Sequence, residues 1–138
     1  MSHSFHYLIM AEQSMFHKEL LSRLKDTGLT IGQPKILDYL KDHDGARQKD
    51  IARGCHIEPG TLTTLLNRME EAGLVERRML NGNRRSLYVF LTEKGQEQVK
   101  LVTEAFSAIE EEAFRGMSKT DCETLMRLMH QVYENISS

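Results

Sequence analysis

The stretch RQKDIARGCHIEPGTLTTLLNRMEEAGLVERRMLNGNRRSLYVFLTEKG, residues 47–95, decides how the whole chain is read. A short helical segment from about Gln48 to Arg53 reaches Gly54, a residue type at which helices often stop. Pro59 then stands at a helix start, where a missing amide hydrogen costs no intrahelical bond. Beyond it Leu62, Leu65, Leu66 and Met69 fall at i, i+3, i+4 and i+7, so this helix buries one face and exposes Thr61, Thr64, Asn67 and Arg68 on the other. Gly73 ends it. From Leu74 the pattern turns β-like, in LVERRML and SLYVFL, with Asn81-Gly82 between them as a hairpin signal, because both residues tolerate positive φ. A short helix, a second helix and a β-hairpin in series make a helix-turn-helix followed by a wing.

On the N-terminal side, Phe5, Leu8, Ile9, Phe16, Leu20, Leu21 and Leu24 recur at helical spacing from about Ser4 to Lys25, and Gly28 follows as a stop. Thr30 and Gln33 form a capping-box pattern that opens a second helix, with Ile36, Leu37 and Leu40 on its apolar side, before Gly45. On the C-terminal side Thr92 caps a long helix in which Val99, Val102, Phe106, Ile109 and Ala113 alternate at steps of three and four. Ser118 with Asp121 opens a last helix striped by Leu125, Leu128, Met129, Val132 and Ile136. The expected fold is mainly α with a small β-hairpin wing (α+β): one domain over 1–138, with a winged helix-turn-helix lobe at about 30–92 between helical segments at about 1–28 and 93–138. Those flanking helices carry more apolar surface than the small lobe covers. A homodimer buries it, through Phe5, Leu8, Val99, Val102, Phe106, Ile109, Leu125, Leu128 and Val132; the alternative is that the helices pack on one another in a monomer.

Composition narrows the class. With 138 residues, 40% hydrophobic and 28% charged, the chain is sized for one folded domain and is neither disordered nor membrane-spanning. No run approaches the ~18 apolar residues of a membrane helix, and the start, MSHSFHYLIMAEQ, has no basic region before its apolar residues, so a cytoplasmic location is expected. Cys55 and Cys122 are too few for a disulfide framework, which fits a reducing compartment. The net charge of -2 conceals an asymmetry: residues 47–85 carry eight Lys/Arg against five Asp/Glu, whereas residues 104–138 carry three against seven. Arg77 to Arg85 holds four arginines and no carboxylate, a segment suited to a polyanion.

GLTIGQPKILDYL, then RQKDIARGCHIEPGTLTTLLNRMEEAGLVERR, then NRRSLYVFLTEKG resemble the MarR family of bacterial winged helix-turn-helix regulators, and the resemblance covers nearly the whole chain. It implies a homodimer on a pseudo-palindromic operator of double-stranded DNA, often a repressor, often released by a small-molecule effector or an oxidant. In such a protein the helix after Pro59 enters the major groove, where Gly60, Thr61, Thr64 and Arg68 meet base edges while Thr63 and Asn67 hold phosphates. Arg84 matches the wing arginine that enters the minor groove in related regulators, and Arg77, Arg78 and Arg85 supply phosphate charge. Many members carry aspartate before the paired wing arginines; this chain has Asn83, which accepts a hydrogen bond without adding charge.

Other classes fit less well. His56-Ile57-Glu58-Pro59 lacks the downstream Pro-Cys-x-x-Cys that a zinc deaminase needs, and no phosphate loop, His-Glu-x-x-His or nucleophile elbow is present, so no enzyme and no cofactor are expected. A metal-responsive regulator of the same fold would draw on His3, His6 and His17 with His130, but no pair has tight ligand spacing, and no metal is expected. Peroxide-sensing relatives carry a reactive cysteine in the first helix; this first helix has none. The remaining alternative is a winged-helix protein-interaction module without DNA binding, against which the wing arginines argue.

Overall fold

Ser4 accepts the Tyr7 amide at 3.1 Å and so satisfies one of the unpaired donors at the start of α1, Phe5–Arg23. These and the following elements are taken from a computed structural model that describes residues 2–80, 82 and 86–137. The next helix, α2 (Gln33–Asp42), starts differently from the sequence expectation. Only half of the Thr30–Gln33 capping box forms: Gln33 Oε1 accepts the Thr30 amide at 3.0 Å, while the N-cap is Gly32, at φ +90°. Gly32 also lies against Leu65, where a Cβ would stand 2.8 Å from Cδ1, so a close approach as well as a turn requires glycine there.

A further correction concerns Gly54. The third helix, α3 (Gln48–Cys55), runs through it, and the chain turns at His56, which takes the left-handed conformation at φ 54°. Gly54 lets Tyr39 of α2 pack on the helix, since a Cβ would meet its ring at 2.4 Å. The fourth helix, α4 (Pro59–Glu71), has Pro59 in its first turn and buries Leu62, Leu65, Leu66 and Met69, as the spacing predicts. Its C-terminus closes on Gly73 (φ +78°), with the Leu74 amide returning to the Met69 carbonyl at 2.9 Å.

The expected hairpin belongs to a three-stranded antiparallel sheet of order β1-β3-β2, with β1 at Ala46–Arg47, β2 at Val75–Arg78 and β3 at Tyr88–Leu91. Val75 pairs with Leu91 and Arg78 with Tyr88, while Ala46 pairs with Val89 on the other side of β3. Gly82 has φ +70°, as a tight turn requires; Asn81, Asn83, Arg84 and Arg85 lie outside the described residues, and with them the expected wing-tip contacts. Thr92 accepts the Gly95 amide at 3.0 Å to open α5 (Glu93–Ala113), and Ser118 accepts the Asp121 amide at 3.0 Å at the start of α6 (Lys119–Ser137).

The chain divides into two compact units, Met1–Phe106 and Ser107–Ser138. Ile36, Leu37, Leu40, Ile51, Leu62, Leu66, Met69, Val75, Val89 and Val102 are fully buried side chains of the first. Burial of such a side chain contributes roughly 1.5–3 kcal/mol, so this layer beneath α4 is what holds it against the sheet. The division falls within α5 because Val99, Val102 and Ala105 are buried in the first unit's core. This corrects the expected dimer seam: Val99, Val102 and Ile109 are buried in the single chain and have no surface to offer a partner, whereas Phe5, Leu8 and Leu128 are exposed. Phe106 is half-buried, with its ring 5.9 Å from that of Phe16.

Candidate nucleic-acid interface

The residues on α4 outside the buried stripe are polar or small, and all of them are exposed. Gly60, Thr64, Asn67 and Glu71 recur at steps of four and three directly opposite Leu62, Leu65, Leu66 and Met69; Thr61 and Arg68 flank them on one side and Thr63 on the other. Apart from its own helix backbone, no atom of the described residues lies within 4 Å of where a Cβ of Gly60 would stand, so that side of the helix is open to an approaching surface. Among the described residues Arg68 makes no ion pair, which leaves its charge for a ligand; the pairings with Glu71 or Glu76 that the sequence permits do not form.

Thr63 ties the two helices of the motif together. Its hydroxyl donates to the Pro59 carbonyl at 3.0 Å and accepts from Gln48 Nε2 at 2.9 Å, so it locks the start of α3 to the start of α4. Thr64 donates in the same way to the Gly60 carbonyl at 3.2 Å. At the head of α3, Arg47 makes a two-point contact with Asp50, at 3.0 and 3.4 Å, and this contact holds the Asp50 carboxyl below its ordinary pKa.

The wing arginines are placed otherwise than the sequence implies. Arg77 is turned inward: its side chain is 14% exposed, and its Nη2 donates to Glu70 Oε1 at 2.9 Å and to Asn67 Oδ1 at 2.6 Å. The Arg77 backbone amide donates to Glu70 Oε2 at 3.1 Å, and the guanidinium hydrogen bond holds the Glu70 carboxyl below its ordinary pKa. A guanidinium whose Nη2 is shared by Glu70 and Asn67 is a strut between β2 and α4, and at 14% exposure little of it is open to a phosphate. Arg78 pairs with Glu76 at 2.7 Å and lies 4.3 Å over the Phe90 ring, yet it stays 53% exposed, so it can still turn its charge outward. No local pattern announces the Arg77 strut, since it joins a helix to a strand seven and ten residues apart.

The other sequence candidates are scattered. His3 stacks on Tyr7 and His130 pairs with Glu134 at 2.8 Å; among the described residues no three His, Cys, Asp or Glu side chains gather to hold a metal. Cys55 is buried, and desolvation pushes its thiol up to about 11, so it stays protonated near neutrality; Cys122 is half-buried. No described helix is long and apolar enough to cross a membrane.

Residues 29–87, which run from the turn before α2 to the last residue before β3, match the model of the MarR family. The chain is 29% identical to the organic hydroperoxide resistance transcriptional regulator of Bacillus subtilis over 92% of its own length and 81% of that protein's. It is 28% identical to the HTH-type transcriptional repressor MdtR of the same organism, over 70% and 64% of the two chains. Among solved structures, the MepR–DNA complex of S. aureus superposes with a TM-score of 0.89 at 23% identity, covering 98% of this chain and 99% of that one, a likeness of fold. These relatives are regulators rather than enzymes. The family model lies on α2, α3, α4 and β2 and the regulator similarity runs on through the flanking helices, so the chain is similar to MarR-family regulators along most of its length.

Proposed function

We propose that the chain is a sequence-specific DNA-binding transcriptional regulator, acting in the cytoplasm as a repressor, that binds a pseudo-palindromic operator as a homodimer and releases it when a small-molecule effector binds. The observation that carries this reading is the exposed polar face of α4, whose Arg68 makes no ion pair among the described residues, backed by a buried apolar stripe that fixes its orientation. A helix of this kind fits the major groove, where hydroxyl, amide and guanidinium groups distinguish base pairs. The similar MepR structure is a DNA complex, and MdtR is a repressor. Arg78 supplies phosphate charge from the wing.

The effector reading is supported by a cavity of about 460 Å³ lined by Phe16, Leu20, Leu21, Ile31 and Phe106, with Gln13, His17 and Lys35 as polar side chains. That volume and that balance suit a small, partly apolar molecule bearing one anionic or hydrogen-bonding end. The organic hydroperoxide resistance regulator is a relative, but the first helix of this chain holds no cysteine and Cys55 is buried. A thiol held up near 11 is almost wholly protonated at pH 7, and only the thiolate attacks a peroxide. Cys55→Ser with Cys122→Ser should therefore bind duplex DNA as the wild type does, before and after organic hydroperoxide. Peroxide-induced release of the wild type that vanishes in the double variant would overturn this.

The experiment that tests the function is selection of bound DNA from a random-sequence duplex pool, followed by affinity against salt. Arg68→Ala should cost ~1–3 kcal/mol on the selected operator and much less on random DNA. A wild-type protein that selects no sequence and whose duplex affinity does not fall with salt would reject the reading, and the winged-helix interaction module would replace it.

A further inference from the structure

We infer that Arg77 sets which hydrogen-bonding groups Asn67 shows to DNA, so that Asn67 reads guanine rather than adenine. This rests on the DNA-binding reading above. A guanidinium only donates hydrogen bonds, so the carboxamide atom that meets Arg77 Nη2 at 2.6 Å is necessarily the oxygen, which fixes the amide orientation. Such a bond between a cation and a carbonyl is a short, charge-assisted one. Glu70 grips the Arg77 guanidinium at 2.9 Å and the Arg77 amide at 3.1 Å, so the guanidinium is anchored in the protein and does not follow Asn67 toward a ligand. Asn67 is left with its oxygen engaged and, among the described residues, no acceptor for its two N–H donors.

Asparagine reads adenine through both halves of its amide: an N–H donates to N7 while the oxygen accepts from N6. Here Arg77, itself largely buried, holds the oxygen on its own side and takes one of its two lone pairs, so the N–H donors are the groups best placed to meet a base. Guanine presents two acceptors on its major-groove edge, N7 and O6, and no donor. The position of Asn67 matches a base-reading role better than the phosphate role the sequence implies. It stands three residues after Thr64 and seven after Gly60, opposite the buried Leu62, Leu65, Leu66 and Met69, at the centre of the exposed face. Arg77 itself touches no DNA; it is a positioning residue.

The test compares the duplexes selected from a random pool by the full chain and by Asn67→Ala, Arg77→Met and Asn67→Asp. The wild type should favour guanine over adenine about tenfold at one position of each half-site, and Asn67→Ala should erase that preference. Arg77→Met frees the oxygen and should move the same position to adenine. Asn67→Asp keeps a partner for Arg77 but has no N–H to offer, and it should lose guanine even if Arg77→Met does not fold. A strut with no effect on readout would lower Arg77→Met affinity for all sequences and leave the base preference as it was; that result, adenine at this position in the wild type, or guanine retained in Asn67→Asp, would overturn the inference. If the wild type selects an operator in which no position depends on Asn67, the inference falls and the function stands. If the wild type selects nothing, both fall.

Discussion

Leu128→Glu should convert the protein from dimer to monomer and lower its operator affinity by about 100-fold or more, the largest functional effect expected of any single substitution away from α4. The argument starts from α6. Leu125, Leu128, Met129, Val132 and Ile136 make an apolar stripe along 19 residues, yet not one residue of that helix is buried. Leu128 is 50% exposed, Met129 46% and Ile136 73%, and α1 shows a comparable face in Phe5, Leu8, Ile9 and Met10. Exposed apolar stripes of this kind on a small protein call for a partner, and the residues of α5 expected to join the dimer seam, Val99, Val102 and Ile109, are already covered. A glutamate buried at the centre of such a contact loses its hydration, which costs several kcal/mol. In the proposed dimer one recognition helix stays near its half-site while the other is bound, so dissociation would remove the effective concentration that joins the two events. Because Leu128 is exposed in the single chain, the variant should keep its helical content. Sedimentation and operator titration of the same sample check this; a Leu128→Glu protein that stays dimeric would refute the assignment of α6, and a wild type that sediments as a monomer at micromolar concentration would refute the dimer.

The sequence carried the recognition helix and its neighbours because their signals are local. The 3.6-residue spacing of Leu62, Leu65, Leu66 and Met69, the proline at the start of α4, and the hydroxyl caps Thr92 and Ser118 all act within a few residues of where they are read. What escaped depends on partners distant in the chain. The two residues of β1 have no periodicity of their own and exist as a strand only because Val89 and Tyr88 pair with them. Gly54 reads as a stop until Tyr39 is seen against it, and Thr30 reads as a cap until Gly32 is seen to turn the chain. Arg77 looks like the phosphate-binding arginines around it, and only the geometry of Glu70 and Asn67 separates it from them. The same limit applied to Val99 and Val102: an apolar strip on a helix says that something covers it, not whether the cover is the same chain or another.

Gly95→Ala should lower the melting temperature by about 10 °C, a stability loss of about 3 kcal/mol or more, although it replaces a glycine by a better helix former. The reason is the junction between the end of α4 and the start of α5. The last carbonyls of a helix lack intrahelical donors, and here the first turn of α5 serves those of α4 and the residues after it. Lys94 Nζ donates to the Ala72 carbonyl at 2.8 Å, the Thr92 hydroxyl to the Gly73 carbonyl at 2.6 Å, and the Thr92 amide to the Leu74 carbonyl at 3.1 Å. Such close bonding brings the Leu74 carbonyl to within 2.1 Å of where a Cβ of residue 95 would stand, with the Leu91 side chain at 3.2 Å on another side. A backbone oxygen held by Thr92, at the head of a strand paired to Leu91, cannot retreat as a flexible side chain would. The alanine must therefore break the junction, and with it the hold that α5 has on the recognition helix, so affinity for DNA should fall with stability. Gly60→Ala supplies the contrast, because a Cβ there meets open space and φ is not positive. The same substitution at that position should leave stability unchanged or raise it by up to about 1 kcal/mol. Thermal unfolding of the two variants beside the wild type decides the matter: equal melting temperatures for Gly95→Ala and wild type would mean that the junction yields, and that α4 is not held by α5.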